Sequence, residues 1–388
     1  MLTAQQIDEI RDRYPVAEVA AKWVRLRRHG KGYVGPCPIC SSDRGKKSAT
    51  KFQVFSDNRW ACAVCADGGD VIRLVQLVEG KTFPEAIDWL GGAPVVDAAT
   101  RAAADDAREQ KRAARERQAA EYRESERRRL WNYLCKAAPI GGTPAERYLV
   151  KRLGRLPRAG LGRLRCWLDA PYYADGGEGH TILHRGPAML APIIGPSGRF
   201  TGLHFTFIDL ATPKGKVLIP DPEEPGEFLN AKKFRGSVAG GHIELVSIKE
   251  PRRLVIGEGI EKTLAVLINL EARAIDIADT AFWTSLDLGN MGGRAVDSVP
   301  HPSDKDARGR TRRVPSPEPD LSAPAIVIPD SVVELVLLGD STSDRFLTET
   351  TLERAAARYA RRGRKVRFVW SPAGKDFDDV LQVENARD

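Results

Sequence analysis

The sequence predicts a multidomain protein in which α+β units precede a C-terminal α/β domain built on a parallel sheet. Three observations predict it. Two C-x-x-C pairs, Cys37/Cys40 and Cys62/Cys65, bracket two short β-rich runs near the N-terminus. Residues 97–129 are rich in Ala, Arg and Glu and contain neither Gly nor Pro. Beyond residue 251, β-rich runs alternate with helical ones, the pattern that closes a parallel sheet.

Taken in order, residues 1–95 form a cysteine-bearing unit, 96–129 a charged helical linker, 130–250 a basic middle unit and 251–388 the α/β domain. A Pro-, Arg- and Asp-rich stretch at 294–330 interrupts that last domain and reads as a long surface loop. LVIG (254–257), AFWT (281–284), ELVLLG (334–339) and KVRFVW (365–370) read as strands, with helices over 260–270 and 348–362. Hydrophobic residues are 42% of the 388, enough for real cores. No run approaches the roughly 18 apolar residues of a membrane span, and MLTAQQIDEIRDRYP lacks a signal-peptide core. The expectation is a cytoplasmic protein with no membrane partner. A net charge of +8 and a pI near 9.2 make an anionic partner plausible.

Paired cysteines in a chain without an export signal favour a metal over disulfides. Each C-x-x-C places two thiolates on one turn, and two such turns complete a tetrahedral S4 zinc site from Cys37, Cys40, Cys62 and Cys65. KFQVF (51–55) and RWAC (59–62) supply the hairpin between them, so the unit reads as a zinc ribbon. With all four positions filled by protein, one zinc ion serves folding rather than catalysis. Lys51, Arg59 and neighbouring cations are interleaved with aromatics, a combination suited to single-stranded nucleic acid. Phe52 or Phe55 is expected to fill the small core, leaving Trp60 on the surface for base stacking. Asp70 is expected to cap the helix that follows, and T-F-P-E (82–85) reads as a capping box. Gly80-Lys81-Thr82 is no P-loop, because the first glycine of that motif is missing. Cys135 and Cys166 read as small buried apolar residues.

In the α/β domain a strand delivers Glu258 at its carboxyl end, and a second delivers Asp340 and Asp344. A third run ends near Asp376, Asp378 and Asp379. Ligands of open α/β sheets bind at this edge. Gathered carboxylates repel one another unless a cation sits among them, and hard Mg2+ or Mn2+ with oxygen ligands suits the set Glu258, Asp340, Asp344, Asp376 and Asp378. Ordinary helix capping by the aspartates is the simpler alternative. Arg147 and Arg152, in the basic opening of the middle unit, and Lys262, four residues after Glu258, are candidate contacts to nucleotide or DNA.

Residues 5–92, through K-W-V-R-L-R-R-H-G-K-G-Y-V-G-P-C-P-I-C, F-Q-V-F and W-A-C-A-V-C-A-D-G-G-D-V-I, resemble the zinc-binding domain of bacterial-type (DnaG-like) primases. That family commonly uses Cys-His-Cys-Cys ligands, and Cys40 stands where the histidine is usual. The carboxylates resemble the Toprim fold of primases, topoisomerases and some nucleases, with Glu258 as its glutamate and Asp340 as the first aspartate of its D-x-D. Thr342 takes the second position, and Asp344 is expected to substitute. G-R-F-T-G-L-H-F-T-F-I-D-L (198–210) and K-K-F-R-G (232–236) resemble the segment preceding Toprim in small phage and plasmid primases. That likeness implies contacts from Lys232, Lys233 and Arg235 to nucleotide or template.

The resemblances together imply a primase that joins ribonucleoside triphosphates on single-stranded DNA, with Glu258, Asp340 and Asp344 catalytic and a separate helicase as partner. The rivals are a non-catalytic single-strand binder with a degenerate Toprim site, a nuclease and a topoisomerase.

Overall fold

The computed structural model describes residues 4–39, 52–62, 67–92, 98–159, 161–174, 181–222, 224, 226–305, 311–379 and 381. Cys40, Lys51 and Cys65 lie outside them.

The N-terminal unit runs α1 (Ala4–Arg13), α2 (Val16–Ala20), β1 (Arg27–His29), β2 (Gly32–Gly35), β3 (Phe52–Val54), β4 (Trp60–Cys62), β5 (Asp67–Gly69), α3 (Val71–Glu79) and α4 (Phe83–Trp89). The five strands form one antiparallel sheet in sequence order, a larger sheet than the single hairpin expected. Asn58 makes the β3–β4 turn at φ 64°, a conformation its short polar side chain tolerates. Its amide then accepts from Val16 N at 2.7 Å and donates to Arg11 O, fixing the turn to the α1–α2 corner. Asp70 caps α3 by accepting from Arg73 N at 2.9 Å, and Gly80 ends that helix at φ 67°. The Thr82–Glu85 capping box opens α4.

Trp60 is not a surface residue. It is 1% exposed, stacks on Phe52 with ring centroids 5.4 Å apart, and donates its indole N–H to Asp70 O. The ribbon shares one apolar core with the helices beside it, where Ile10, Val16, Ile72 and Leu74 are buried too, and the Trp60 ring is the largest side chain in it. Phe55, by contrast, is exposed.

Helix α5 (Ala98–Lys136) spans 39 residues, about 58 Å at 1.5 Å per residue. It continues past the expected linker end at 129 because Leu130, Leu134 and Ala137 recur at helical spacing and are buried in the next unit. Cys135, on the opposite face, is exposed, whereas Cys166 is buried as expected. The middle unit then forms β6 (Ala138–Pro139), α6 (Pro144–Leu153), β7 (Arg165–Tyr173), β8 (Ile182–Ile194), β9 (Phe200–Phe207), a small β10–β11 ladder (Ile219–Pro220, Phe228–Leu229) and β12 (Lys232–Gly236). Its antiparallel sheet has the order β12-β9-β8-β7-β6.

The last unit comprises β13 (Ile243–Val246), β14 (Arg253–Gly257), α7 (Ile260–Ala272), β15 (Thr280–Thr284), α8 (Leu288–Gly292), β16 (Ser298–Lys305), β17 (Thr311–Pro315), β18 (Glu334–Gly339), α9 (Arg345–Tyr359) and β19 (Lys365–Trp370). Its sheet order is β13-β15-β14-β18-β19, with the last four strands mutually parallel and β13 antiparallel at one edge. Strand β13 precedes residue 251, so the sheet begins earlier than the expected boundary. The 294–330 segment is not a bare loop: β16 and β17 pair as a hairpin. Arg354 of α9, itself buried, holds this segment by donating to Gly293 O and Ser316 O.

One core runs under both later units. It joins Tyr148, Leu149 and Leu153 of α6, Met189 and Ile193 of β8, Ile260, Leu264 and Leu267 of α7, and Phe282 of β15. No helix among the described residues is long and apolar enough to cross a membrane.

Removing the Trp60 ring should leave a cavity in the N-terminal core, and Trp60→Ala is expected to cost about 3–5 kcal/mol. Hydrogen–deuterium exchange on the full chain checks this: protection should drop across 52–62 and 71–79 and stay unchanged in β14, β18 and β19.

Candidate active site

Parallel strands release their following loops at one edge, and here three of them release acids. Strand β14 ends at Gly257, where a Cβ would lie 2.2 Å from Thr263 Oγ1, so only glycine fits. Glu258 follows, its side chain 36% exposed, and its carbonyl accepts from Thr284 Oγ1 at 2.7 Å. Strand β18 ends at Gly339, where a Cβ would meet the Trp370 ring at 2.7 Å, and Asp340 comes next, nearly buried. Asp376 follows β19 and bonds the Phe377 N–H at the start of a short helix. Asp379 accepts from Asp376 N at 3.1 Å and faces solvent.

Glu258, Asp340 and Asp376 surround one atom, Lys262 Nζ on the first turn of α7. That ammonium hydrogen-bonds Asp340 and lies 3.4 Å from Asp376 and 3.6 Å from Glu258. Lys262 is therefore placed within the acid group rather than held out toward a nucleotide. Thr342, two residues after Asp340, donates both its N–H (2.8 Å) and its hydroxyl (2.7 Å) to Asp340 Oδ1.

The electrostatics follow from this packing. Burial pushes the Asp340 carboxyl up, but the bonds from Lys262 and Thr342 outweigh it and hold the group below its ordinary value. Asp376 is pushed up to about 6 by burial, against the pull of Lys262 and with repulsion from Asp378 and Asp340 adding to the rise. Burial works against the charge on Lys262, yet its bond to Asp340 and the nearby Glu258 and Asp376 raise its pKa above the ordinary lysine value.

Two of the expected ligands are engaged elsewhere. Asp344 caps α9 by accepting from Leu347 N at 2.9 Å and pairs with Arg312 at 3.2 Å and His301 at 3.3 Å. Its four-residue offset from Asp340 places it at the mouth of a helix, where a carboxylate is stabilised by the free N–H groups. Asp378, 1% exposed, forms a buried ion pair with Arg152 of α6. Arg152 thus ties two units together through a largely enclosed guanidinium.

The cations of β12 alternate between the two faces of their strand. Lys232 bonds the buried Glu261 at 2.8 Å, with Lys216 3.7 Å from the same carboxylate and the Tyr148 hydroxyl donating to it. Burial opposes the charge on Glu261, but Lys232 and Lys216 hold its carboxyl well below the usual range. Lys233 lies over the Tyr172 ring, and Arg235 pairs with Glu126 at 2.7 Å. Both line a cavity of about 710 Å3 that also includes Trp167, Tyr173, Arg123 and Arg129. Arg147 and Arg59 are exposed.

Cys37, after β2, and Cys62, on β4, are buried in the same cluster. These two soft donors fit a zinc site, and their partners Cys40 and Cys65 lie outside the described residues. Among the described residues no three His, Cys, Asp or Glu side chains are grouped tightly enough to hold a metal ion. Glu258, Asp340 and Asp376 offer the oxygen donors that a hard divalent cation takes, but in this arrangement Lys262 Nζ stands where they converge. Sequence reasoning missed the placement of Lys262, although its i, i+4 spacing from Glu258 on a helix start signals a pair. It also missed Thr342 as a partner of Asp340 and the Glu261 network, for which the sequence carries no comparable signal.

Comparison with known proteins agrees with the N-terminal unit of this picture. Residues 2–105 match the CHC2 zinc finger. Residues 121–245 match a domain of unknown function, DUF7146. A DNA primase of Enterococcus faecalis is 32% identical over 82 residues, 21% of this chain and 12% of that protein. A DNA primase of Thermotoga maritima is 31% identical over 98 residues, 25% of this chain and 16% of that protein. Over this stretch the chain resembles bacterial-type primases, and the matches span only a small part of those relatives' length. A structure titled as the DnaG primase catalytic domain bound to ssDNA aligns over 68% of this chain and 76% of that one, at 17% identity and a TM-score of 0.36.

His204 sits beside the Glu261 network, and burial drives its pKa down to about 3. A histidine depressed in the folded state leaves stability intact above its unfolded value of about 6.5 and removes it as pH falls toward about 3, by up to about 1.4 kcal/mol per unit. His204→Gln should flatten that acid limb in thermal melts between pH 7 and pH 5. Arg152→Ala, which strands the buried Asp378 carboxylate, is expected to cost about 3–5 kcal/mol in urea unfolding.

Proposed function

We propose that this chain is a DNA-dependent RNA primase, in which a zinc ribbon reads single-stranded DNA and a Toprim-type domain joins ribonucleotides. The observation that carries the proposal is the convergence of Glu258, Asp340 and Asp376 on one point at the carboxyl ends of three parallel strands. A CHC2 zinc finger in the same chain selects primase from the reactions that such a carboxylate edge can serve.

In this reading Cys37, Cys40, Cys62 and Cys65 hold a structural zinc. Glu258, Asp340 and Asp376 would hold Mg2+ or Mn2+, which would neutralise phosphate charge and acidify the attacking hydroxyl. Glu258 is the most exposed carboxylate of the three, so it is the one able to take the proton from a 3′-hydroxyl. Asp340 is positioned for its role by Thr342, which supplies orientation in place of a second charge. Asp344 and Asp378 act at a distance, fixing α9 and the α6 contact. Lys233 and Arg235, together with the aromatic rings of their cavity, give a base and its phosphate complementary surfaces, and the exposed Arg147 and Arg59 extend the cationic path for the template. The substrates are ribonucleoside triphosphates.

The test is a priming assay with purified protein, single-stranded DNA, Mg2+ or Mn2+ and labelled ribonucleotides, resolved on a denaturing gel. Short RNA products are expected, and Glu258→Gln should lower them by at least about a hundredfold while DNA binding persists. Binding without any product under either metal would favour a non-catalytic single-strand binder. Loss of template would reveal a nuclease.

A further inference from the structure

The middle sheet has two faces, because successive residues of a strand point to opposite sides. On one face Cys166, Met189 and Ile193 share a core with α6 and α7, and Lys232 reaches Glu261. The other face carries Tyr172, Phe205 and Phe207, in one core with Leu130 and Leu134 of α5. Lys233 and Arg235 lie in register with Phe205 and Leu203, so they belong to this second face. The cavity of about 710 Å3 is there, walled by α5, by the sheet and by Gly30 of the β1–β2 turn. The sheet stands between it and the Glu258, Asp340 and Asp376 cluster, a separation on the order of 10 Å for one packed layer.

Glu126 of α5 is buried in the cavity wall. It accepts from Arg235 Nε at 3.0 Å and Nη2 at 2.7 Å, and from Arg129 Nε at 2.9 Å. One buried carboxylate thus holds two guanidiniums side by side, and each has more N–H donors than that pairing uses. With Arg123 and Lys233 the wall carries four cations against one acid, a surplus of three positive charges. Lys233 lies over the Tyr172 ring at 4.7 Å and Arg235 over Tyr173 at 5.6 Å. Cation and ring are offered together, as a nucleotide offers phosphate and base. A nucleic-acid strand carries one charge per nucleotide and needs an exit as well as an entrance. Charge gathered around one carboxylate, in a space of small-molecule size, suits a polyphosphate on a single base.

We propose that this cavity is a second nucleotide site, which binds a free nucleoside triphosphate and performs no chemistry on it. The proposal rests on the reading that the cavity meets a base and its phosphate, and it names their source as a free nucleotide rather than the template. The base stacks among the rings of β7, and the phosphates lie on Arg123, Arg129, Lys233 and Arg235. Neither a metal ion nor the carboxylates on the far side of the sheet take part. The occupant spans α5 and the middle sheet, and so braces the helix that leads back to the N-terminal unit.

The experiment is calorimetric titration of the full, zinc-loaded chain with ATP, without DNA and without added Mg2+ or Mn2+. One ATP per chain is expected, and Arg123→Gln combined with Lys233→Gln should weaken it at least tenfold. Photolysis of bound 8-azido-ATP should label peptides of β7 or α5. Saturating single-stranded oligonucleotide should leave ATP in place. Label confined to 257–262, or unchanged affinity in a double variant whose circular dichroism matches wild type, would overturn the proposal. So would displacement of ATP by the oligonucleotide, or oligonucleotide binding with no ATP bound at millimolar concentration; either would assign the cavity to the template and leave the primase reading intact. A chain that binds ATP here yet makes no primer would refute the primase reading and support this site. Should the double variant fail to fold, Trp167→Leu removes a ring from the wall with the same loss expected, and the wild-type label still decides the location.

Discussion

The first turn of α7 is where the demands on this chain meet. Within five residues it must present Glu258 to solvent, bury Ile260 in a core shared by two sheets, send Glu261 to the lysines of the middle unit, and turn Lys262 toward the acids. Successive helical residues point about 100° apart, so each of these directions is available to one residue and no other. The arrangement also explains the glycine at 257. Strand must pass into helix with Thr263 packed against it, and any side chain there would force the turn open. A shift of one residue in α7 would put Glu261 among carboxylates and Lys262 in the apolar core.

Burying charge in this way is costly unless each ion is paired, and every deeply buried ion around the site has its counterion. Glu261 has Lys232 and Lys216, Asp378 has Arg152, and Asp340 has Lys262. Asp376 is the member with the weakest compensation, and its raised pKa reflects that. Such pairs add little net stability over apolar packing, but they penalise any wrong register between the middle sheet and α7.

Much of the fold was legible. Strands β18 and β19 coincide with apolar runs bounded by Gly and polar residues, and Asp70 and the Thr82–Glu85 box mark helix starts by local chemistry alone. What stayed hidden depended on partners distant in sequence. Trp60 looks like a stacking surface until the apolar residues of α1, α2 and α3 are seen to share one core with it. β13 is too short to be assigned to a sheet before its edge neighbour β15 is known. The β16–β17 hairpin is hidden by its Pro and Arg content, and the segment is held by Arg354, 38 residues beyond Ser316. At the site, the identity of the acids was readable, since acids after strands share one edge; which three converge was not. Asp344 and Asp378 have the same chemistry as Asp340 and Asp376 and differ only in which cation reaches them first.

The Arg152–Asp378 pair joins residues 226 apart in sequence. Almost the whole of the middle and C-terminal units lies inside the loop it closes. On a ribosome, α6 emerges long before its counterion does, and Arg152 waits through the synthesis of both sheets. Closure of so long a loop is slow, because its entropy must be spent before the contact returns anything. The turn that follows β19 is thus what completes the surroundings of α6 in the middle unit.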